Sequence, residues 1–77
     1  MSKNVLLGAS WCAPCKMVKQ FLDNRGITYE YIDIDTDEGM EMAQDYKVRG
    51  VPTMVIIGMD GSTVITSDKK IKEAFDE

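Results

Sequence analysis

The chain opens on a short apolar run, Val5-Leu6-Leu7, inside the stretch Lys3 to Ala9 and closed by Gly8. This predicts a buried strand, although its length alone leaves a helix open. The period then changes. Met17, Val18, Phe21 and Leu22 recur at helical spacing, with Lys16, Lys19, Gln20 and Asp23 on the opposite side. That is the pattern of an amphipathic helix with those four residues facing inward. Pro14 suits its first turn, where a missing N–H is harmless. Asn24-Arg25-Gly26 is a stop, because glycine accepts a left-handed cap. From Ile27 to Ile34 the pattern alternates, with Ile27, Tyr29 and Tyr31 against Thr28, Glu30 and Ile32, which predicts a second strand. Asp35-Thr36-Asp37-Glu38 is an acidic helix start, favoured by the positive end of a helix dipole. Met40, Ala43 and Tyr46 mark that helix's inward side, and Gly50 follows its end. Thr53–Ile57 and Ser62–Thr66 flank Gly58-Met59-Asp60-Gly61 and predict a hairpin. Ser67 and Asp68 cap a last helix, with Ile71, Ala74 and Phe75 facing inward.

The order βα, βα, ββ, α predicts a right-handed βαβ unit with a parallel strand pair, extended by antiparallel strands. The expected architecture is α/β: a four-stranded mixed sheet with three helices covering both faces. Seventy-seven residues, with 44% hydrophobic content, fit one domain over residues 1–77 with one core. There is no repeat, linker or low-complexity segment. Of the six methionines (Met1, Met17, Met40, Met42, Met54 and Met59), most read as flexible core filler, with Met59 in the hairpin turn at the surface. Tyr29, Tyr31 and Tyr46 read as core or half-buried packing.

Charge and cysteine usage narrow the function. The net charge of −4 argues against nucleic-acid and membrane-surface roles, which call for basic patches. No apolar run approaches the ~20 residues that span a bilayer. Val5-Leu6-Leu7 is too short for the core of a signal peptide, so a cytoplasmic protein is expected. There is no histidine, which removes Cys-His nucleophilic mechanisms. The only two cysteines, Cys12 and Cys15, sit in Trp11-Cys12-Ala13-Pro14-Cys15-Lys16, after the first strand and at the start of a helix. That placement suits a pair that makes and breaks a disulfide. A structural staple across so short a loop would contribute only about 2 kcal/mol, in a compartment that disfavours it. Two thiols without histidine supply half a zinc shell, so no metal is expected. The acids Asp33, Asp35, Asp37 and Glu38 are better explained by a strand end feeding a solvated helix cap than by a metal cluster.

Two segments carry a resemblance to the thioredoxin-fold superfamily. Trp11-Cys12-Ala13-Pro14-Cys15-Lys16-Met17 is similar to the thioredoxin active-site motif, with Ala13 where glycine is usual. Tyr46-Lys47-Val48-Arg49-Gly50-Val51-Pro52-Thr53 resembles the segment that carries the family's cis-proline. Starting directly at the strand before the motif is similar to glutaredoxins and NrdH-type redoxins, as is Gly26-Ile27-Thr28-Tyr29-Glu30-Tyr31-Ile32-Asp33-Ile34-Asp35. Two departures stand out. Leu6 occupies the place of a buried thioredoxin aspartate, and about Tyr31 that of its partner lysine. The proton acceptor for Cys15 is thereby left unassigned. Val64-Ile65-Thr66-Ser67 replaces the glutaredoxin Gly-Gly element that helps to hold glutathione.

The resemblance implies a thiol–disulfide oxidoreductase of protein disulfides, a dithiol electron carrier in cell redox homeostasis. Cys12 is the expected nucleophile, partly exposed, and Cys15 the resolving thiol one turn inward. A helix N-terminus favours the thiolate. Pro14 sets the geometry between them, Ala13 donates its backbone N–H, and Lys16 adds positive potential. Pro52 is expected in cis, with Val51 against the cysteines and Trp11 on the rim. Ala9, Ser10, Gly50, Gly58 and Asp60 would complete a shallow docking surface. No bound cofactor is implied. Electrons would come from NADPH through thioredoxin reductase, or alternatively from glutathione. Ribonucleotide reductase is among the targets the family serves. The chain is expected to act as a monomer. A redox-inactive thioredoxin-fold binding module is the reading from another class.

Overall fold

The computed structural model describes residues 3–76. Its sheet is built around β1 (Lys3–Gly8), which carries the apolar run. On one side lies β2 (Glu30–Asp33), parallel to β1 with Leu6 opposite Tyr31 and Gly8 opposite Asp33. On the other side lies β3 (Thr53–Gly58), antiparallel with Leu6 opposite Met54 and Leu7 opposite Thr53. The edge strand β4 (Gly61–Thr66) returns from β3 through the two-residue turn Met59-Asp60. The order is β2-β1-β3-β4, the mixed four-stranded sheet that the element order predicts.

Three helices cover the sheet: α1 (Ala13–Asn24), α2 (Asp37–Asp45) and α3 (Asp68–Ala74). Alternate residues of β1 serve opposite layers, as the pleat requires. Leu6 and Met54 pack with Val18 and Leu22 of α1 and Ile71 of α3. Val5, Leu7, Val55 and Ile32 pack with Met42 and Tyr46 on the other face. Because both faces are covered, Val5, Leu6 and Leu7 are all buried, and the run reads as continuous rather than alternating.

Several boundaries and faces differ from the sequence expectation. The second strand is shorter than 27–34. The amide of Ile27 donates to the Leu22 carbonyl at 3.0 Å and that of Gly26 to Asp23 at 3.1 Å, with Gly26 at φ 69°. This is a Schellman cap, so the chain at 26–27 belongs to the end of α1 before it can pair with β1. Helix α1 buries Cys15, Val18 and Leu22, and Met17 is exposed because Cys15 begins the inward stripe. Helix α2 is rotated so that Gly39, Met42 and Tyr46 meet the sheet, which leaves Met40 48% exposed. Its stop is Lys47, and Gly50 follows three residues later. Lys47 lies at φ 56°, and the amides of Lys47 and Val48 close a second Schellman pair on Gln44 (3.2 Å) and Ala43 (2.7 Å). In α3, Ile71 is buried and Phe75 half-buried, but Ala74 faces outward. Of the described methionines only Met54 is fully buried and Met42 partly so. Met59 is exposed, as its turn position predicts, and Met1 lies outside the described residues.

No helix among the described residues is long and apolar enough to cross a membrane.

Candidate functional site

At the end of β1 the chain turns and starts α1, and Cys12 is the N-cap of that helix. Its extended backbone (φ −96°, ψ 107°) lies just outside the first turn, with Ala13 and Pro14 opening the helix. The Cys12 amide donates to the Ala9 carbonyl at 3.1 Å, which closes the turn. The Cys15 amide donates to Cys12 Sγ at 3.2 Å. A sulfur at an N-cap thus occupies the place usually taken by a serine or aspartate oxygen, where helix amides converge. In the reduced protein the same position favours a thiolate.

Cys12 and Cys15 are joined by a disulfide with a Cα–Cα separation of 5.3 Å, within the ordinary span of such bonds. Cys15 is fully buried. Cys12 is also buried, at 5% exposure, against the expectation of a partly exposed thiol. The reason is tertiary: Ala9, Ile34 and Val51 pack around the pair. The two cysteines therefore differ by a narrow window, and that window is on Cys12.

The loop before β3 brings the second motif to the first. The Val51–Pro52 bond is cis. Val51 is half-buried against the cysteines and Pro52 is buried. The loop is pinned by Thr53 Oγ1 donating to the Gly50 carbonyl at 2.7 Å, and by the Ser67 amide donating to the Pro52 carbonyl at 3.2 Å. An open cavity of about 520 Å³ adjoins it, lined by Lys47, Arg49, Val51, Pro52, Thr66 and Ser67 among others.

On the other rim, Trp11 is 68% exposed and its Nε1 donates to Asp35 Oδ2 at 3.1 Å. Asp35 is oriented by its own amide, which donates to Asp33 Oδ1 at 2.8 Å. Sequence reasoning placed Asp35 only in a helix cap and missed this bond. Twenty-four residues separate the partners, and no local pattern signals the contact. Ala13, Pro14, Lys16 and Ser10 are exposed around the pair. Gly50 is exposed and lines the cavity. Gly58 and Asp60 do not belong here. Ile57 pairs with Lys3, at the far end of β1 from Cys12, so the hairpin turn lies at the opposite end of the sheet. Among the described residues no three His, Cys, Asp or Glu side chains converge as metal ligands.

Comparison with known proteins places this geometry. The family model for glutaredoxin matches residues 2–59. Thioredoxin of Bacillus subtilis is 39% identical over 74 residues, covering 90% of this chain and 70% of that protein. The chloroplastic thioredoxin-like protein CITRX of potato is 40% identical over 58 residues, covering 70% of this chain. The chain spans about a third (33%) of that relative's length. Among solved structures, thioredoxin NaTrxh of Nicotiana alata superposes with a TM-score of 0.77 at 24% identity, covering 95% of this chain and 67% of that one. Oxidised thioredoxin of Plasmodium falciparum gives 0.72 at 21% identity, covering 95% and 76%. At those identities the superpositions establish the fold.

Proposed function

Taking as premise that the chain belongs to the glutaredoxin family within the thioredoxin-fold superfamily, we propose that it is a thiol–disulfide oxidoreductase that reduces protein disulfides. The observation that carries this reading is the Cys12–Cys15 disulfide with Cys12 at a helix N-cap and its sulfur on a backbone amide. In the reduced protein, Cys12 attacks one sulfur of a target disulfide. The other target sulfur leaves as a thiolate, and a mixed disulfide forms. Cys15, one turn along α1, then attacks Cys12 Sγ. This releases the target's second thiol and forms the Cys12–Cys15 disulfide. Val51 and Trp11 frame the Cys12 window and are the proposed docking contacts. Ala13 and Pro14 shape the loop, Lys16 adds positive potential, and Pro52 holds Val51 in place.

The proposed electron source is NADPH through a flavin-dependent thioredoxin reductase. The likeness to a bacterial thioredoxin over 90% of the chain favours it, as does Thr66-Ser67 in place of a Gly-Gly element. Glutathione is the second reading. It is favoured by the glutaredoxin match and by the cavity beside Val51, to which Lys47 and Arg49 bring positive charge that suits an anionic peptide. The remaining parts of the proposal follow the family. The chain is a single redox domain over 1–77, acting as a monomer in the cytoplasm, with ribonucleotide reductase among its targets and no nucleic-acid or membrane role.

The test starts from oxidised protein. Its reduction by NADPH plus thioredoxin reductase is compared with its reduction by glutathione plus glutathione reductase. Fast turnover only with the first supports the favoured donor, and fast turnover with glutathione supports the second. Reduction by neither would point to a dedicated partner or to the binding-module reading. Cys12→Ser is expected to abolish disulfide reduction, and Cys15→Ser to trap a mixed disulfide visible by mass spectrometry. Activity retained by Cys12→Ser would overturn the assignment of the nucleophile.

A further inference from the structure

Gly8 ends β1 directly beneath Cys15. A Cβ at Gly8 would lie 2.8 Å from Tyr31 Cε1, 3.0 Å from Tyr31 Oη and 3.3 Å from Cys15 Cβ. Tyr31 and Cys15 thus share the small space that the glycine leaves empty. The arrangement follows from register: Gly8 points to the same face as Leu6, and Leu6 pairs with Tyr31. The ring of Tyr31 packs against the core on the α1 side, and Lys19, one turn beyond Cys15 on α1, sets its Nζ 4.2 Å from the ring centroid. Among the described residues the Tyr31 hydroxyl has no hydrogen-bond partner in this oxidised form, so it is a free donor on the side of Gly8 that the buried Cys15 also borders.

Resting on the oxidoreductase reading above, we propose that the Tyr31 hydroxyl donates a hydrogen bond to the Cys15 thiolate whenever the disulfide opens. The chemistry needs such a donor. When a dithiol reductant attacks Cys12 Sγ, the bond from Cys12 to Cys15 breaks and its electron pair leaves on Cys15 Sγ. A thiolate then forms at a fully buried site, where lack of hydration opposes it. A neighbouring hydroxyl that turns to the sulfur stabilises the charge as it develops. Tyr31 keeps its proton throughout, and Cys15 later takes one from water. In the reverse sense, Cys15 loses its proton to water, the hydroxyl holds the thiolate, and the thiolate attacks Cys12 Sγ of the mixed disulfide.

The charges facing Tyr31 are Lys19 on α1 and Asp33 and Asp35 at the end of β2. β1 and α3 present Leu6, Gly8 and Ile71 there. Burial, and then the two aspartates, hold the Tyr31 hydroxyl above its ordinary pKa, so it is a donor and not a base at neutral pH. Lys19 places a compensating positive charge over the ring.

The experiment is Tyr31→Phe, which keeps the ring and removes the hydroxyl. In the Cys12→Ser background Cys15 is the only thiol, and its titration is followed by thiolate absorbance. Loss of the hydrogen bond is expected to raise its pKa by about one unit. In the chain with both cysteines, reduction of the disulfide by dithiothreitol is expected to slow about threefold, from the leaving-group dependence of exchange. An unchanged Cys15 pKa and rate in a folded Tyr31→Phe protein would overturn the proposal. If Tyr31→Phe did not fold, the ¹³Cζ resonance of Tyr31 in the Cys12→Ser chain decides: it should move as Cys15 titrates, and a fixed resonance refutes. If the parent's disulfide does not exchange with dithiothreitol at all, the oxidoreductase reading fails instead. A parent that exchanges normally, with Tyr31→Phe equal to it, removes only the role of Tyr31.

Discussion

Gly39→Ala tests whether close contact or helix propensity governs the corner that carries Asp35. Gly39 is the third residue of α2 and is buried. A methyl there would clash with the Asp33 carbonyl oxygen, and it would lie 2.7 Å from both the Asp33 carbonyl carbon and Ile34 Cα. All three are backbone atoms, so relief requires α2 to move off the end of β2. That movement strains the cap. Thr36 Oγ1 donates to the Asp33 carbonyl at 2.6 Å and accepts from the Gly39 amide at 3.0 Å. Overpacking costs about 1–3 kcal/mol, and a damaged cap about 1 kcal/mol more. Alanine returns about 1 kcal/mol through helix propensity. The expected net loss is about 1–3 kcal/mol, out of the roughly 4–12 kcal/mol typical of a domain this size. Thermal unfolding followed by circular dichroism should show a midpoint about 4–24 °C lower. Gly50→Ala is the control: a Cβ there meets nothing within 4 Å and Gly50 has no left-handed φ, so stability should stay within about 0.5 kcal/mol. If Gly39→Ala were as stable as the parent, propensity would outweigh the contact and the reasoning would fail.

Lys47→Gly should stabilise the chain by about 0.5–1 kcal/mol, because it removes a left-handed lysine from a helix cap; urea unfolding checks it, and a loss of stability would refute it. The same variant removes a cation from the cavity beside Val51, so it should weaken exchange with glutathione more than exchange with dithiothreitol. Tyr29 makes stability depend on alkaline pH. Burial, and then the bond from Tyr29 Oη to Asp23 Oδ1 (3.0 Å), push its pKa up to about 12 from 10.0. The folded state thus holds the proton more tightly than the unfolded state. Its contribution is complete below pH 10 and is lost as pH rises from 10 towards 12. The Tyr29–Asp23 bond is solvent-exposed, so screening leaves on the order of 1 kcal/mol. Tyr29→Phe should flatten that part of the decline, and an unchanged slope would show that other groups govern it.

The elements that were legible in the sequence are those whose signal is local. Val5-Leu6-Leu7, the stripe through Val18 and Leu22, Gly26 at its cap and the two glycines of the hairpin each reflect backbone or periodic constraints acting over a few residues. The cysteine spacing and the Val51-Pro52 segment were equally readable, because each motif is contiguous. What failed was the rotation of helices about their axes. Met17, Met40 and Ala74 were assigned inward on hydrophobicity, but which stripe faces the sheet depends on contacts such as Gly39 against Asp33, made across elements. Gly58 and Asp60 were assigned to the site because turn glycines look alike wherever they lie; only the antiparallel register of β3 on β1 shows which end of the sheet they occupy.

The sequence by itself determined the order of the elements, the pair of thiols and the proline that accompanies them, since these rest on local conformational preference and on residue chemistry. The tertiary structure alone decided that Cys12 is nearly covered by Val51, that Asp35 holds Trp11, and that the Tyr31 hydroxyl lies beside Cys15 in the space left by Gly8. Those contacts join residues far apart in the chain, and their geometry is set by sheet register and layer packing, which no local pattern encodes.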